Sequence, residues 1–126
     1  MTALLDSSAW LEYFFGSAAG EKVSPVVEGE DTIVLSKINV FEVYSKILKA
    51  AGREEAEKFV SFMLKRGFLD ELSVDTLKLA GEEKRKFGLG MADAIIVATA
   101  VKHDAALYTR DQDFKSVAGL LEVIFV

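Results

Sequence analysis

Short apolar runs alternate along this chain with stretches in which apolar residues recur every three or four positions, the two periods of buried strands and amphipathic helices. Thr2 to Leu5 is a buried-strand candidate ending at Asp6. Ser7 to Phe15 reads as a helix stopped by Gly16, with Ser7 or Ser8 available to cap it. A second short helix is expected from Ser17 to Glu28, although Pro25 removes one of its backbone donors. Thr32 to Leu35, β-branched and apolar, is the second strand. Asn39 to Ala51 puts Val40, Val43, Tyr44, Ile47, Leu48 and Ala51 on one helical face, and Arg53 to Arg66 repeats the pattern through Ala56, Phe59, Val60, Met63 and Leu64. Gly52 and Gly67 stop these two segments, which predicts a helical hairpin. Phe68 to Ser73 is a weak strand, Val74 to Phe87 a helix, and Gly88-Leu89-Gly90 a break. Ala92 to His103 is apolar on nearly every side, so it should be a central buried helix. Ala106 to Thr109 and Glu122 to Val126 complete the strands. This alternation predicts an α/β fold, a mostly parallel central sheet flanked by helices, with right-handed crossovers. No repeat or linker divides the chain, so one domain is expected over residues 1–126.

Composition removes several classes of chemistry. The 126 residues include no Cys and one His, which excludes disulfide frameworks and thiol catalysis and leaves a zinc centre without its usual ligands. A bound metal would have to be held by oxygen. At 51% hydrophobic residues with one Pro, the chain can bury enough apolar surface to fold. No apolar stretch approaches the roughly 18 residues of a membrane helix, and the N-terminus lacks the basic region of a signal peptide, so a soluble cytoplasmic protein is expected. Fifteen Lys and Arg against twenty Asp and Glu give a net charge of −5, which argues against a simple nucleic-acid coat.

The acids are not scattered at random once the elements are placed. In a parallel sheet the carboxyl ends of the strands and the amino ends of the returning helices share one edge, where ligands bind. Asp6 follows the first strand, and Asp111 follows the Ala106 to Thr109 strand by one residue. Glu42 falls in the first turn of the helix beginning at Asn39, and Asp93 in the first turn of the buried helix. Four carboxylates from distant positions therefore converge. Crowded carboxylates repel and raise one another's pKa, and a divalent cation relieves that repulsion. Such a centre suits metal-assisted hydrolysis of a phosphodiester, with water activated for in-line attack. Taken singly, each acid has a plainer account. Asp6 fits a helix cap, Glu42 a capping box with Asn39, Asp93 the positive end of its helix, and Asp111 and Asp113 a turn after a strand. The conjunction carries the case, together with the expense of placing Asp93 in an otherwise apolar helix.

Leu4-Leu5-Asp6-Ser7-Ser8, Asn39-Val40-Phe41-Glu42, Met91-Ala92-Asp93 continuing through Ala100, and Leu107 to Phe114 resemble, in order and spacing, the PIN-domain ribonucleases. More specifically, they resemble the VapC toxins of type II toxin-antitoxin systems. The resemblance spans essentially the whole chain. It implies a Mg²⁺- or Mn²⁺-dependent endoribonuclease that usually forms a homodimer and is silenced by a VapB-type antitoxin. It also implies Asp6 and Asp93 as principal metal ligands, Glu42 and Asp111 completing the site directly or through water, and Ser8 and Thr109 as supporting hydroxyls. Asp113 matches the family's final acid less well than Asp111.

Neither the motifs nor the resemblance names an RNA target. Lys84, Arg85, Lys86 and Arg110 lie near the acidic edge in sequence and could meet phosphate; for the first three a solvated helix end explains the charges equally well. The Gly88 to Asp93 stretch fails as a dinucleotide fingerprint, since Asp93 replaces the third glycine and a helix precedes it. His103, in the last turn of its helix, suggests a dipole or surface role. The alternatives are a Mg²⁺-dependent phosphatase on another α/β fold, which would want an Asp where Ser8 stands, and a catalytically silent PIN-like scaffold or partner-binding module. Tyr13, Phe14, Phe15, Tyr44, Phe59 and Phe62 exceed what core packing requires, and the surplus is expected to form a dimer surface and an antitoxin groove.

Overall fold

The computed structural model describes residues 1–126. Five strands, β1 (Thr2–Leu5), β2 (Thr32–Leu35), β3 (Phe68–Leu69), β4 (Ala106–Thr109) and β5 (Val123–Phe125), form one sheet in the order β3-β2-β1-β4-β5. Every pairing is parallel, so the sheet is wholly rather than mostly so. Six α-helices connect the first four strands: α1 (Ser7–Phe15), α2 (Ala18–Val27), α3 (Lys37–Ala51), α4 (Arg53–Arg66), α5 (Val74–Phe87) and α6 (Met91–Lys102). A 3₁₀ turn at Gln112–Val117 leads to β5. None of the helices is long and apolar enough to cross a membrane.

The short apolar runs are strands covered on both faces, which is why they show little alternation in sequence. Ala3, Leu5, Ile33 and Leu35 face a core built with Trp10, Val23, Val43, Ile47 and Met63 from α1 to α4. Leu4, Val34 and Leu107 face the opposite core, built largely from α6 with Phe114 and Val117. Successive residues of β1 and β2 thus point into different cores, as a period of two requires. Helix α6 is buried continuously from Ala94 to Ala100, in keeping with its apolar sequence.

Two glycines do work that other residues could not. Gly16 ends α1 in the left-handed conformation at φ 68°, with its N–H returned to the Glu12 and Tyr13 carbonyls. A side chain on Gly20 would meet the Glu12 carbonyl oxygen at 2.2 Å, so its bare Cα lets α2 lie directly on α1. Pro25 lies inside α2 without ending it.

Several sequence expectations need correction. Helix α3 starts at Lys37 rather than Asn39, because the Ser36 hydroxyl accepts from the Ile38 N–H and supplies the cap. Glu42 is therefore in the second turn, not the first. Asn39 is fully buried and caps nothing on its own helix. The cap of α1 is Asp6, not Ser7 or Ser8. The weak strand expected over Phe68 to Ser73 is only two residues long, since Asp70 turns its side chain back to accept from the Leu72 N–H at 2.8 Å. His103 does not merely face solvent: its Nε2 lies 2.7 Å from Asp70 Oδ1, a carboxylate that is almost wholly buried.

Candidate metal centre

The chain reverses its direction of travel across the sheet between β1 and β4, because the connection after β3 passes over to the far side of β1. A crevice opens at such a switch point, beyond the carboxyl ends of the two strands. Asp6 follows β1 there, and its N–H donates to the Tyr108 carbonyl of β4 at 3.0 Å. Asp111 follows β4 and caps the 3₁₀ turn, accepting from the Asp113 N–H at 2.9 Å. Asp93 is the third residue of α6, whose amino end has no side-chain cap. Carboxylate oxygens of Asp93, Asp111 and Asp113 lie within 4.8 Å of one another. The tightest trio therefore includes Asp113, which the sequence ranked below Asp111.

Asp6 is 5% exposed and held from three directions. Its Oδ1 accepts from the Ser8 hydroxyl at 2.6 Å and the Ala9 N–H at 2.9 Å, and its Oδ2 accepts from the Thr109 hydroxyl. A carboxylate offers about four lone-pair directions, so roughly one remains for another ligand. Each hydroxyl is itself oriented by the chain after β4: Ser8 Oγ accepts from the Arg110 N–H at 3.0 Å and Thr109 Oγ1 from the Asp111 N–H at 2.9 Å. Both hydroxyls are thereby committed to donate toward Asp6. Burial pushes the Asp6 carboxyl up, the bonds from Ser8, Thr109 and Ala9 pull it back, and Asp111 adds repulsion; the net direction is upward.

Glu42 joins from α3, with Oε1 accepting from the Ser7 hydroxyl at 3.1 Å. Asp93 shows that all the acids share one field. Its carboxyl is pushed up to about 6, first by burial and then by repulsion from Asp111, Glu42, Asp6 and Asp113 in that order. The four acids picked from sequence, with Asp113, thus occupy one electrostatic neighbourhood. Arg110 turns away from the role suggested for it: its guanidinium donates to Glu12 Oε1 at 3.0 Å, and Glu12 also accepts from the Ser17 hydroxyl. Lys84, Arg85 and Lys86 are exposed in the last turn of α5, beside the Gly88–Gly90 segment that borders Asp93 and Asp113 in a cavity of about 350 Å³. Sequence reasoning read Ser7 and Asn39 as candidate caps and motif neighbours and gave neither a contact with the other acidic segment.

The donor set fits a hard divalent cation. Every nearby donor is an oxygen, the trio is close enough to share one ion, and the raised Asp93 carboxyl marks negative charge that no Lys or Arg in the centre offsets.

A family profile described as PIN domain matches residues 3–120. No curated protein matches the chain by sequence. Among solved structures, it is similar to a toxin-antitoxin complex from Klebsiella pneumoniae at 24% identity and a TM-score of 0.76, covering 97% of this chain and 95% of that one. It is similar to the VapBC2 complex of Rickettsia felis, bound to a DNA fragment from its promoter, at 20% identity and a TM-score of 0.79, covering 100% and 99%. It is also similar to a sarcin-ricin loop cleaving VapC toxin from Mycobacterium tuberculosis at 18% identity and a TM-score of 0.76, covering 93% and 95%.

Proposed function

From the premise that this chain belongs to the PIN-domain family, we propose that it is a divalent-metal-dependent endoribonuclease, the VapC-type toxin of a toxin-antitoxin pair. The observation that carries the reading is the convergence of Asp6, Glu42, Asp93, Asp111 and Asp113 on one field at the switch point, with Asp93 raised by all the others. Asp93, Asp111 and Asp113 would hold Mg²⁺ or Mn²⁺, with Asp6 and Glu42 reaching it directly or through water. When bound, the cation supplies activation of water and neutralisation of charge at the phosphate. The chain's own part is positional. Ser8 and Thr109 fix both oxygens of Asp6, and the Asp111 cap fixes the turn that carries Asp113. The cavity between the Gly88–Gly90 segment and Ser116 gives an RNA strand access to Asp93 and Asp113. Lys84, Arg85 and Lys86 would meet its phosphates as position-setting contacts rather than base readers.

The antitoxin would lie at the carboxyl end of α1, the end away from Asp6. Tyr13, Phe14, Phe59 and Phe62 line a groove of about 490 Å³ with Lys58 and Glu28 at its rim, and Phe62 stays 40% exposed there. An amphipathic VapB-type segment suits such a groove. Homodimerisation belongs to the same proposal. The test is cleavage of RNA by the purified chain with and without Mg²⁺. Cleavage should require the ion, and Asp93→Asn should reduce it by about 10³-fold, the equivalent of some 4 kcal/mol of lost charge stabilisation. Equal cleavage by wild type and Asp93→Asn would defeat the mechanism, and no cleavage by either would favour a silent scaffold.

A further inference from the structure

Glu42 brings its carboxylate to the group of acids around Asp93, and its side chain is only half-buried, so water offers an easy escape. What opposes that escape begins at Asn39, one helical turn earlier on the same face of α3. Asn39 is fully buried beside Val43 and Ile47, where an apolar residue would pack without desolvation cost. Its amide, set in the orientation that satisfies its neighbours, donates to the Leu5 carbonyl at 3.2 Å and accepts from the Ser7 N–H at 3.2 Å. The Leu5 carbonyl closes β1, and the Ser7 N–H is one of the donors that the first turn of α1 leaves without a helical partner. Asn39 therefore grips the chain on both sides of Asp6. Ser7, held by its backbone, then donates its hydroxyl to Glu42 Oε1 at 3.1 Å.

We infer that Asn39 and Ser7 form a positioning bridge that holds Glu42 beside Asp6 and so prearranges the acidic centre for its cation. The three bonds join one turn of α3 to residues 5–7, linking segments more than thirty positions apart. They leave Glu42 Oε2 free of protein donors. Both act through Glu42 and Asp6: Asn39 is enclosed in the core, and the Ser7 hydroxyl gives its proton to Glu42. The bridge rests on the metal-centre reading above, but it assigns a role to residues that reading does not use.

Titration of Mn²⁺, followed by the electron paramagnetic resonance of the free ion, reads the bridge without turnover. Ser7→Ala should bind Mn²⁺ about 10-fold more weakly than wild type, the usual loss when a group orienting a ligand is removed. Ser7→Thr, which keeps the hydroxyl, should restore binding, and thermal melting of both variants should stay near wild type. Asn39→Ala, measured well below its own melting temperature, should weaken binding as well. Wild type that binds no Mn²⁺ overturns the metal centre and the bridge together. Wild type that binds, with Ser7→Ala unchanged or Ser7→Thr failing to restore affinity, overturns the bridge and leaves the metal centre standing.

Discussion

At the amino end of α6, Asp93 faces Asp111, Glu42, Asp6 and Asp113, and burial and repulsion push its carboxyl up to about 6. At the carboxyl end, Asp70 is the more deeply buried of the two, yet its carboxyl is held below the usual range. Burial works to raise Asp70 as well; the bond from His103, the Leu72 N–H and the Lys102 ammonium together outweigh it. The difference is therefore in the company each acid keeps rather than in its depth. Asp70 is compensated by the fold itself, whereas the acids around Asp93 repel one another with no cationic partner among the causes that set its carboxyl. Perturbed carboxyls of that second kind gather where binding or chemistry occurs.

The largest expected effect on stability lies at the compensated end. Asp70→Ala removes the acceptor for His103, Lys102 and the Leu72 N–H at once, and should destabilise the fold by about 2 kcal/mol, the range for hydrogen bonds to a charged group. Chemical denaturation at pH 7 measures it. Lys102 and His103 are each partly exposed, which keeps the figure well below that of a fully buried ion pair. The sign with pH follows from the lowered carboxyl. The folded form releases this proton more readily than the unfolded chain, so the contribution is complete above about pH 4 and disappears as pH falls through the depressed value. A variant as stable as wild type at pH 7 would show that the Asp70 cluster holds nothing together, and the contrast between the two ends would fail.

How much of that contrast could be read from sequence depends on whether a local pattern carried it. The buried character of α6 was plain because no polar face interrupts Ala94 to Ala100, and Asp93 stood out against that background. Asp6 and Asp111 followed from strand ends and the parallel-sheet rule. Asp70 did not, because it lies in a stretch read as strand and meets His103 across 33 residues of chain. Asn39 misled for a local reason: three residues before Glu42 it imitates a capping box, while Ser36 supplies the actual cap. Asp113 joined the trio through the 3₁₀ turn, whose geometry depends on Asp111 acting as its cap. Side-chain bonds between distant segments leave no periodic trace, so the supporting contacts were the part that sequence concealed.

A smaller effect tests whether the amino end is held together by its hydroxyls. Thr109→Val keeps the shape of a fully buried side chain but removes the donor to Asp6 Oδ2 and the acceptor for the Asp111 N–H. Mn²⁺ affinity should fall about 10-fold at pH 7, the lower end for loss of a group that orients a ligand. Thr109→Ser should recover most of it. Affinity untouched in Thr109→Val would mean that Asp6 needs no such support.

The smallest effect comes from Asp93 in the metal-free protein, and its sign is opposite to that of Asp70. The folded chain holds this proton up to about pH 6, whereas the unfolded chain loses it near pH 4. The group's contribution to stability is thus greatest below about pH 4, declines as the pH rises toward 6 and is level above that. Asp93→Asn removes the decline, so the metal-free variant should melt above wild type at pH 7 and together with it at pH 4. Because Asp93 is only half-buried, solvent screens the repulsion, and the gain should stay below about 1 kcal/mol. Adding Mn²⁺ at pH 7 should raise the melting temperature of wild type and leave that of Asp93→Asn nearly fixed, since the ion stabilises only the form that binds it. The same substitution would then stabilise the protein while disabling it, as expected where charge is kept for a ligand rather than for the fold. If wild type and Asp93→Asn instead melt alike from pH 4 to pH 7, the acids around Asp93 do not strain the metal-free fold, and the two ends of α6 differ less than their contacts imply.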